Sequence, residues 1–313
     1  MLRTPAPLKG ALDFTIMPRH SRAHFYKFAT AETAAKVIES KAFRWSSPEK
    51  FNDPFDHHVG FTMDIAPETF AAFLLSSIER IVFSDTEPVA PGESVFAALT
   101  QRFRPIRHRL PKDEFLADMR DACIESARRL TSQFGIFNKE IYRHLIHSRV
   151  FCVCEELDNV VMWSHYADEH RGVAFQLGCI PELDNPLLIA QQVTYSESLV
   201  PFPDPNAYAK HLTGEAPIDL MPLVWQVAFT KHKNWAYEKE WRIHLPLIRE
   251  AVGDGYSIER EHPQVFQSLY LGCRMANAEA TRIASLVKQH LPQMSIYQAR
   301  KSSSRFGLEF EQL

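Results

Sequence analysis

The stretch Phe25 to Trp45 reads F-Y-K-F-A-T-A-E-T-A-A-K-V-I-E-S-K-A-F-R-W and packs three elements into 21 residues. Phe25–Ala29 is an aromatic-rich strand. Thr30 follows as an N-cap, its hydroxyl placed to accept from an amide of the first turn, and Ala31–Ser40 continues as a helix with Ala35, Val37 and Ile38 among its apolar positions. Ala42–Trp45 is a second strand. Upstream, residues 1–24 carry Pro5, Pro7 and Pro18 and are expected to form a loosely packed arm. Downstream, apolar spacing turns helical from about Ala66 to Ser148, with helices expected at Pro67–Phe83, Glu93–Phe103, Lys112–Phe134 and Lys139–Ser148. Strands are then expected at Val150–Cys154, Val173–Leu177, Leu188–Tyr195, Trp241–Ile248, Val265–Leu271, Ser295–Ala299 and Phe306–Phe310. Helices are expected at Asn159–Glu169, Met221–Phe229 and Ala278–His290, and Gly172 suits the left-handed turn that ends the first of them. Strands on both sides of a helical block describe an α+β fold, a single domain over residues 25–313 with a helical insertion at about 66–148, rather than alternating βαβ units.

Composition removes several function classes. Eleven glycines in 313 residues are about half the usual share of about 7%. Neither G-x-G-x-x-G nor G-x-x-x-x-G-K-[ST] occurs, so no dinucleotide fingerprint or P-loop can be argued. Thirty-five basic and 38 acidic side chains give a net charge of -3, without the positive excess of a nucleic-acid binder. The one basic run, Arg102, Arg104, Arg107, Arg109 and Lys112, reads either as a local patch or as a solvated loop. No run approaches the roughly eighteen apolar residues of a membrane span, and Met1–Ala23 lacks the apolar core of a signal peptide, so a cytoplasmic protein without membrane contact is expected. Five cysteines without a C-x-x-C pair fit reduced thiols; Cys152 and Cys154 share one side of a strand and read as buried packing rather than metal ligands.

Four windows carry residues suited to chemistry. In F-N-D-P-F-D, Phe51 to Asp56, Asn52 and Asp53 before Pro54 mark a turn whose carboxylates either orient a ligand or simply pin the loop. In N-V-V-M-W-S-H-Y-A-D-E-H-R-G, Asn159 to Gly172, a helix places Met162, His165, Tyr166 and Glu169 on one face; His165 and His170 are five apart, which disfavours a zinc protease. In K-H-K-N-W-A-Y-E-K-E-W-R-I-H-L, Lys231 to Leu245, an extended chain puts Glu238, Glu240, Arg242 and His244 on one face. That face is either an exposed ladder of paired charges or a strand at a cleft, where two close carboxylates are forced into different roles. The fourth window joins Arg44-Trp45-Ser46 to Tyr26-Lys27-Phe28; Lys27 and Arg44 are candidates to meet an anionic ligand, or to pair with nearby carboxylates.

Taken in order, F-Y-K-F, F-R-W-S-S-P-E-K-F-N-D-P-F-D, M-W-S-H-Y-A-D-x-H-x-G and W-A-Y-E-K-E-W-R resemble the bacterial family catalogued as Domain of Unknown Function 2971, from about Phe25 to the C-terminus. More distantly, the chain resembles the ADP-ribosyltransferase fold. That resemblance implies a split or mixed antiparallel sheet gripping NAD, as substrate, without a glycine loop. It implies that Glu240 bonds the ribose beside nicotinamide, that Glu238 positions or deprotonates the acceptor, and that Lys27 or Arg44 holds the pyrophosphate. Tyr166 or Trp163 would stack on nicotinamide; His165, Ser46, Arg242, Asn52 and Asp53 complete the expected site. The first-strand residue is lysine and no S-T-S motif is present, which departs from that fold's pattern.

The function expected is an intracellular enzyme of NAD-dependent ADP-ribosyl transfer or NAD hydrolysis, a toxin or phage-defence effector, acting on a nucleotide-type small molecule and a macromolecular acceptor, with no metal. A rival is a metal-dependent nuclease or phosphoesterase built on Asp53, Asp56, His57, His165 and Glu240. A third reading is a non-catalytic nucleotide sensor or protein-interaction module.

Overall fold

Thr30 caps as its position predicts: its side chain accepts from the amide of Thr33, and Lys41 closes the same helix with a left-handed φ of 56°. These details belong to a computed structural model that describes residues 18–57, 60–85, 94–132, 134–219, 221–246 and 254–313. Most of the expected arm, and the beginning or end of the helix and strand expected at Glu93–Phe103 and Trp241–Ile248, fall outside the described residues. The main elements in chain order are β1 (His24–Ala29), α1 (Ala31–Ser40), β2 (Ala42–Ser46), α2 (Pro67–Phe83), α3 (Val95–Phe103), α4 (Lys112–Ser132), α5 (Phe134–Ile146), β3 (Ser148–Cys154), α6 (Val160–Tyr166) and β4 (Val173–Gly178). They continue with α7 (Pro205–Thr213), α8 (Met221–Ala228), β5 (Glu240–Pro246), β6 (Tyr256–Arg260), β7 (Phe266–Leu271), α9 (Asn277–His290), β8 (Ser295–Lys301) and β9 (Leu308–Gln312). The fold is α+β with a mixed sheet, and no helix among the described residues is long and apolar enough to cross a membrane.

The chain divides into two units. One takes in the described residues of 59–143 and 198–228. Its helices close on Phe70, Leu74, Ile78, Val82, Phe115 and Ala127. The basic run has structural work here: Arg104 donates to the carbonyl of Ile81 and Arg107 to that of Ser84, satisfying carbonyls at the end of α2, while Lys112 pairs with Glu79 at 2.6 Å.

The other unit takes in the described residues of 11–58, 144–197 and 229–313 and contains the large sheet. Its strand order is β6-β2-β3-β1-β4-β7-β8-β9, with β5 pairing along the other edge of β3. All neighbours on this path are antiparallel except β7 and β8. One face buries Phe25, Phe43, Phe151, Phe175 and Leu269 together with Ile38 of α1 and Ile283 of α9. The opposite face buries Phe28, Ala174 and Tyr270 together with Met162 and Trp163 of α6. The sheet forks at β3. β1 meets it at Tyr26–Cys154 and β2 at Ser46–Val150, a single pair each, and the two strands diverge over the backbone between those points.

Three expectations need correction. The strand expected at Leu188–Tyr195 is a 3-10 turn, Pro186–Ile189, followed by two- and three-residue strands at Gln191–Gln192 and Thr194–Ser196; Pro186 favours the turn and withholds an amide from any ladder. The helix expected from Asn159 to Glu169 ends at Tyr166, and its left-handed exit is made by Asp168, Glu169 and His170. Gly172 is required for another reason: a Cβ there would sit 2.2 Å from the carbonyl oxygen of Ala29, on the neighbouring strand. Finally, the helix expected at Lys139–Ser148 starts at Phe134, and Ser148 already belongs to β3.

Candidate active site

The fork opens into a cavity of about 320 Å³. β1 contributes Tyr26 and Lys27, β2 contributes Arg44 and Ser46, and the loop after it contributes Lys50, Phe51, Asn52 and Asp56. β3 runs along the cavity from Val150 to Cys154, α6 adds Met162 and Tyr166, and Lys231, Glu238 and Glu240 complete the lining. Where the diverging strands leave β3 uncovered, Lys27 Nζ donates to the Cys152 carbonyl at 2.7 Å, so a side chain satisfies a group that a strand would otherwise take.

The acidic wall is built by a turn, not by a continuous strand. Residues Lys233–Glu238 form a 3-10 helix and Lys239 reverses the chain in the left-handed region, φ 46°, before β5 begins at Glu240. The expected extended run from Glu238 is therefore corrected. Glu238 and Glu240 still converge, because the turn brings both carboxylates onto Lys231: its Nζ lies 2.5 Å from Glu238 Oε2 and 3.0 Å from Glu240 Oε2. All three side chains are buried, which removes the alternative of an exposed charge ladder.

Behind this wall Arg242, fully buried, binds two carboxylates at once. Its Nε and Nη2 donate to Glu240 at 2.7 and 3.0 Å, and its Nη1 and Nη2 donate to Asp56 at 2.8 and 2.5 Å. Asp56 Oδ1 also lies 2.8 Å from His57 Nδ1, and His57 Nε2 lies 3.1 Å from His244 Nε2. Such a cluster is tolerable only because nearly every lone pair and proton has a partner.

Electrostatics then separates the carboxylates. Burial works to raise Asp56, yet the Arg242 guanidinium and the His57 contact hold it well below the usual carboxylate range. Glu240 is likewise opposed by burial, and Arg242 and Lys231 hold it low. Glu238 moves the other way: burial and the neighbouring Glu240 charge raise it, against the pull of Lys231 and of Tyr166, whose hydroxyl donates to Oε1 at 2.5 Å. Lys231 stays firmly protonated, since the attraction of Glu240 and Glu238 outweighs burial. Burial lowers Lys27, with the more distant carboxylates pulling back, and burial raises Cys152 well above an ordinary thiol. The result is one carboxylate kept ionised and a second, two residues away, raised above an ordinary carboxylate, an arrangement able to move a proton.

Of the residues selected from sequence, Glu238, Glu240, Tyr166, Lys27, Arg44, Ser46 and Asn52 line this one cavity. Four others do not. His165 is exposed, its Nδ1 3.1 Å from the Tyr237 hydroxyl, because the helix turns that position outward. Trp163 is a core residue, buried against Phe28 with its indole N–H on the Leu157 carbonyl. Asp53 is buried and accepts from the Phe55 amide, the turn-pinning alternative. Arg242 stands behind the lining. Of the set Asp53, Asp56, His57, His165 and Glu240, Asp56, His57 and Glu240 meet around Arg242, while Asp53 pins its turn and His165 is exposed; no group of three His, Cys, Asp or Glu side chains fit to hold a metal ion occurs among the described residues.

Sequence reasoning missed Lys231, Lys50, Tyr26 and Cys152 as cavity residues. Lys231 had a signal, since it opens the window that ends in Glu238 and Glu240; the turn that returns it to them is not visible in a two-residue period. Residues 162–243 match a family model described as Protein of unknown function (DUF2971), and that stretch holds Tyr166, Lys231, Glu238, Glu240 and Arg242. No curated protein and no solved structure matches the chain.

Proposed function

We propose that the protein breaks the N-glycosidic bond of a nucleotide, with NAD as substrate, transferring the ADP-ribosyl group to a macromolecular acceptor or to water. The observation that carries this reading is the pair Glu238 and Glu240, bridged by Lys231 Nζ and shifted in opposite directions. Glu238, made more basic than an ordinary carboxylate, takes the proton of the attacking hydroxyl or water as the bond to nicotinamide breaks. Its negative charge also faces the ribose carbon on which positive charge develops, the task carboxylates perform in glycoside hydrolysis. Glu240 acts through its neighbours: it anchors Lys231, and its charge adds to burial in raising Glu238. The forked sheet, the absence of any glycine loop and the resemblance to the ADP-ribosyltransferase fold support NAD over a substrate bound by a P-loop.

At the mouth, exposed Arg44 and Lys50 lie over Tyr256 at 4.4 and 5.9 Å and make no ion pair among the described residues, which suits a diphosphate. Phe51 and Tyr26 offer ring surface to a base. An enzyme of this kind drains a cell of NAD or inactivates its target, which is the work of a toxin or phage-defence effector.

The experiment is incubation of purified protein with NAD, with and without a cell extract as acceptor, following nicotinamide by chromatography. Release is expected, and Glu238→Gln should lower it by about 10²- to 10⁴-fold, the usual worth of a general acid–base group. Intact NAD under both conditions, or release unchanged in Glu238→Gln, overturns the reading.

A further inference from the structure

We propose that the Lys27 amine is a covalent capture site for small anionic aldehydes and ketones, which it binds as an imine inside the forked sheet. This goes beyond nucleotide cleavage and does not rest on it. Lys27 lines the cavity and spends one of its three N–H donors on the Cys152 carbonyl. Its ammonium lies 4.9 Å from the Phe151 ring and makes no ion pair among the described residues, in contrast to Lys231, which has three carboxylates within 3.6 Å. An amine so placed loses the hydration that favours its charged form and gains no contacting counter-charge in return, so it presents more free base than a surface lysine. Lowering of Lys27 by burial points the same way.

The cavity supplies what imine formation needs. The free amine adds to the carbonyl carbon to give a carbinolamine; the nitrogen loses a proton and the hydroxyl gains one, and water leaves as the C=N bond forms. No oxidant or reductant is consumed. Glu238, a stronger base than an ordinary carboxylate and lining the same cavity, can accept the first proton and return it to the departing oxygen. Arg44 and Lys50 at the mouth, without ion pairs, select for a carbonyl compound that bears a phosphate or carboxylate. The cavity volume of about 320 Å³ admits a compound of that size.

The test is reductive trapping at neutral pH. The full chain is treated with glycolaldehyde phosphate and cyanoborohydride, digested and mapped by mass spectrometry, with exposed Lys288 as the internal reference. Lys27 is expected to be alkylated before Lys288, with the preference lost in Arg44→Ala/Lys50→Ala and with neutral glycolaldehyde. Lys27→Arg, which keeps the charge and the Cys152 bond, should lose only the adduct at this site while its melting temperature stays close to that of the parent. If Lys27 is labelled no faster than Lys288, or if glycolaldehyde and its phosphate label it equally, the proposal fails. No step of this test uses NAD, so its outcome is separate from that of the nucleotide-cleavage assay.

Discussion

Arg242 is the counter-charge on which two buried carboxylates, Asp56 and Glu240, depend. Replacing it by methionine keeps the volume and leaves Asp56 and Glu240 without their main counter-charge. Breaking a buried pair from one side costs about 3–5 kcal/mol. Arg242→Met should therefore lower the unfolding free energy by about that amount in urea titrations, and a loss under about 1 kcal/mol would mean the cluster is solvated rather than buried. Acid acts on the same groups with a definite sign. His57 and His244 are held below the ordinary histidine value by burial, so the unfolded chain binds more protons as pH falls through about 6.5 and stability declines there. Asp56 and Glu240 are depressed by Arg242, so the stability they contribute is complete above about pH 4 and is lost as pH falls below it. Thermal melts should show two steps of acid destabilisation, and Asp56→Asn should flatten the lower one. At this scale the sequence was partly legible: the spacing of Glu238, Glu240 and Arg242 marked one charged face, and Asp56 and His57 were candidates as metal ligands with Glu240; their loop lies some 180 positions before the Arg242 that Asp56 meets. Nothing local to that loop says which distant guanidinium it will meet.

Among the elements, α1 and its flanking strands followed from local physics. Thr30 supplies the cap, Ala34, Ala35, Val37 and Ile38 make a buried stripe at helical spacing, and the strands are short and aromatic. The 3-10 segments at Pro186–Ile189 and Lys233–Glu238 were not legible, since an apolar or alternating run of that length fits a strand equally well and the outcome depends on what each side chain packs against. Two glycines make the element scale testable. Gly172→Ala drives a Cβ against the Ala29 carbonyl between β1 and β4, and overpacking of this kind should cost about 1–3 kcal/mol. Gly135, the second residue of α5, with nothing within 4 Å of the added Cβ, should gain about 0.4–1 kcal/mol on replacement by alanine, chiefly through the lower entropy of the unfolded chain. Opposite signs in paired melts support the packing; equal effects would contradict it.

For the molecule as a whole, ionised Asp56 and Glu240 are matched by Lys231 and Arg242, and Glu238 and Lys27 are each shifted toward the uncharged form, so the cavity floor stays near neutrality, while Arg44 and Lys50 leave its mouth positive. An anionic nucleotide should therefore bind the folded state alone and raise its stability. At a concentration of 100 times the dissociation constant, ADP-ribose should add about 2.7 kcal/mol to the unfolding free energy, and Arg44→Ala/Lys50→Ala should remove most of that gain. Equal gains in parent and double variant would place the anion elsewhere. The chain alone settled its α+β class and showed that neither glycine-loop fingerprint occurs in it, because composition and short-range periodicity act through neighbours a few positions apart. Folding decided that β1 and β2 diverge from β3, that Lys231 returns to both glutamates, that Trp163 and His165 stay out of the cavity, and that Lys231, Glu238, Glu240 and Arg242 lie inside while Lys233 and Lys239 stay exposed. Those outcomes depend on long-range pairing and on burial: burial works to raise both glutamates, and the Arg242 guanidinium on Glu240, with Lys231, reverses the shift there.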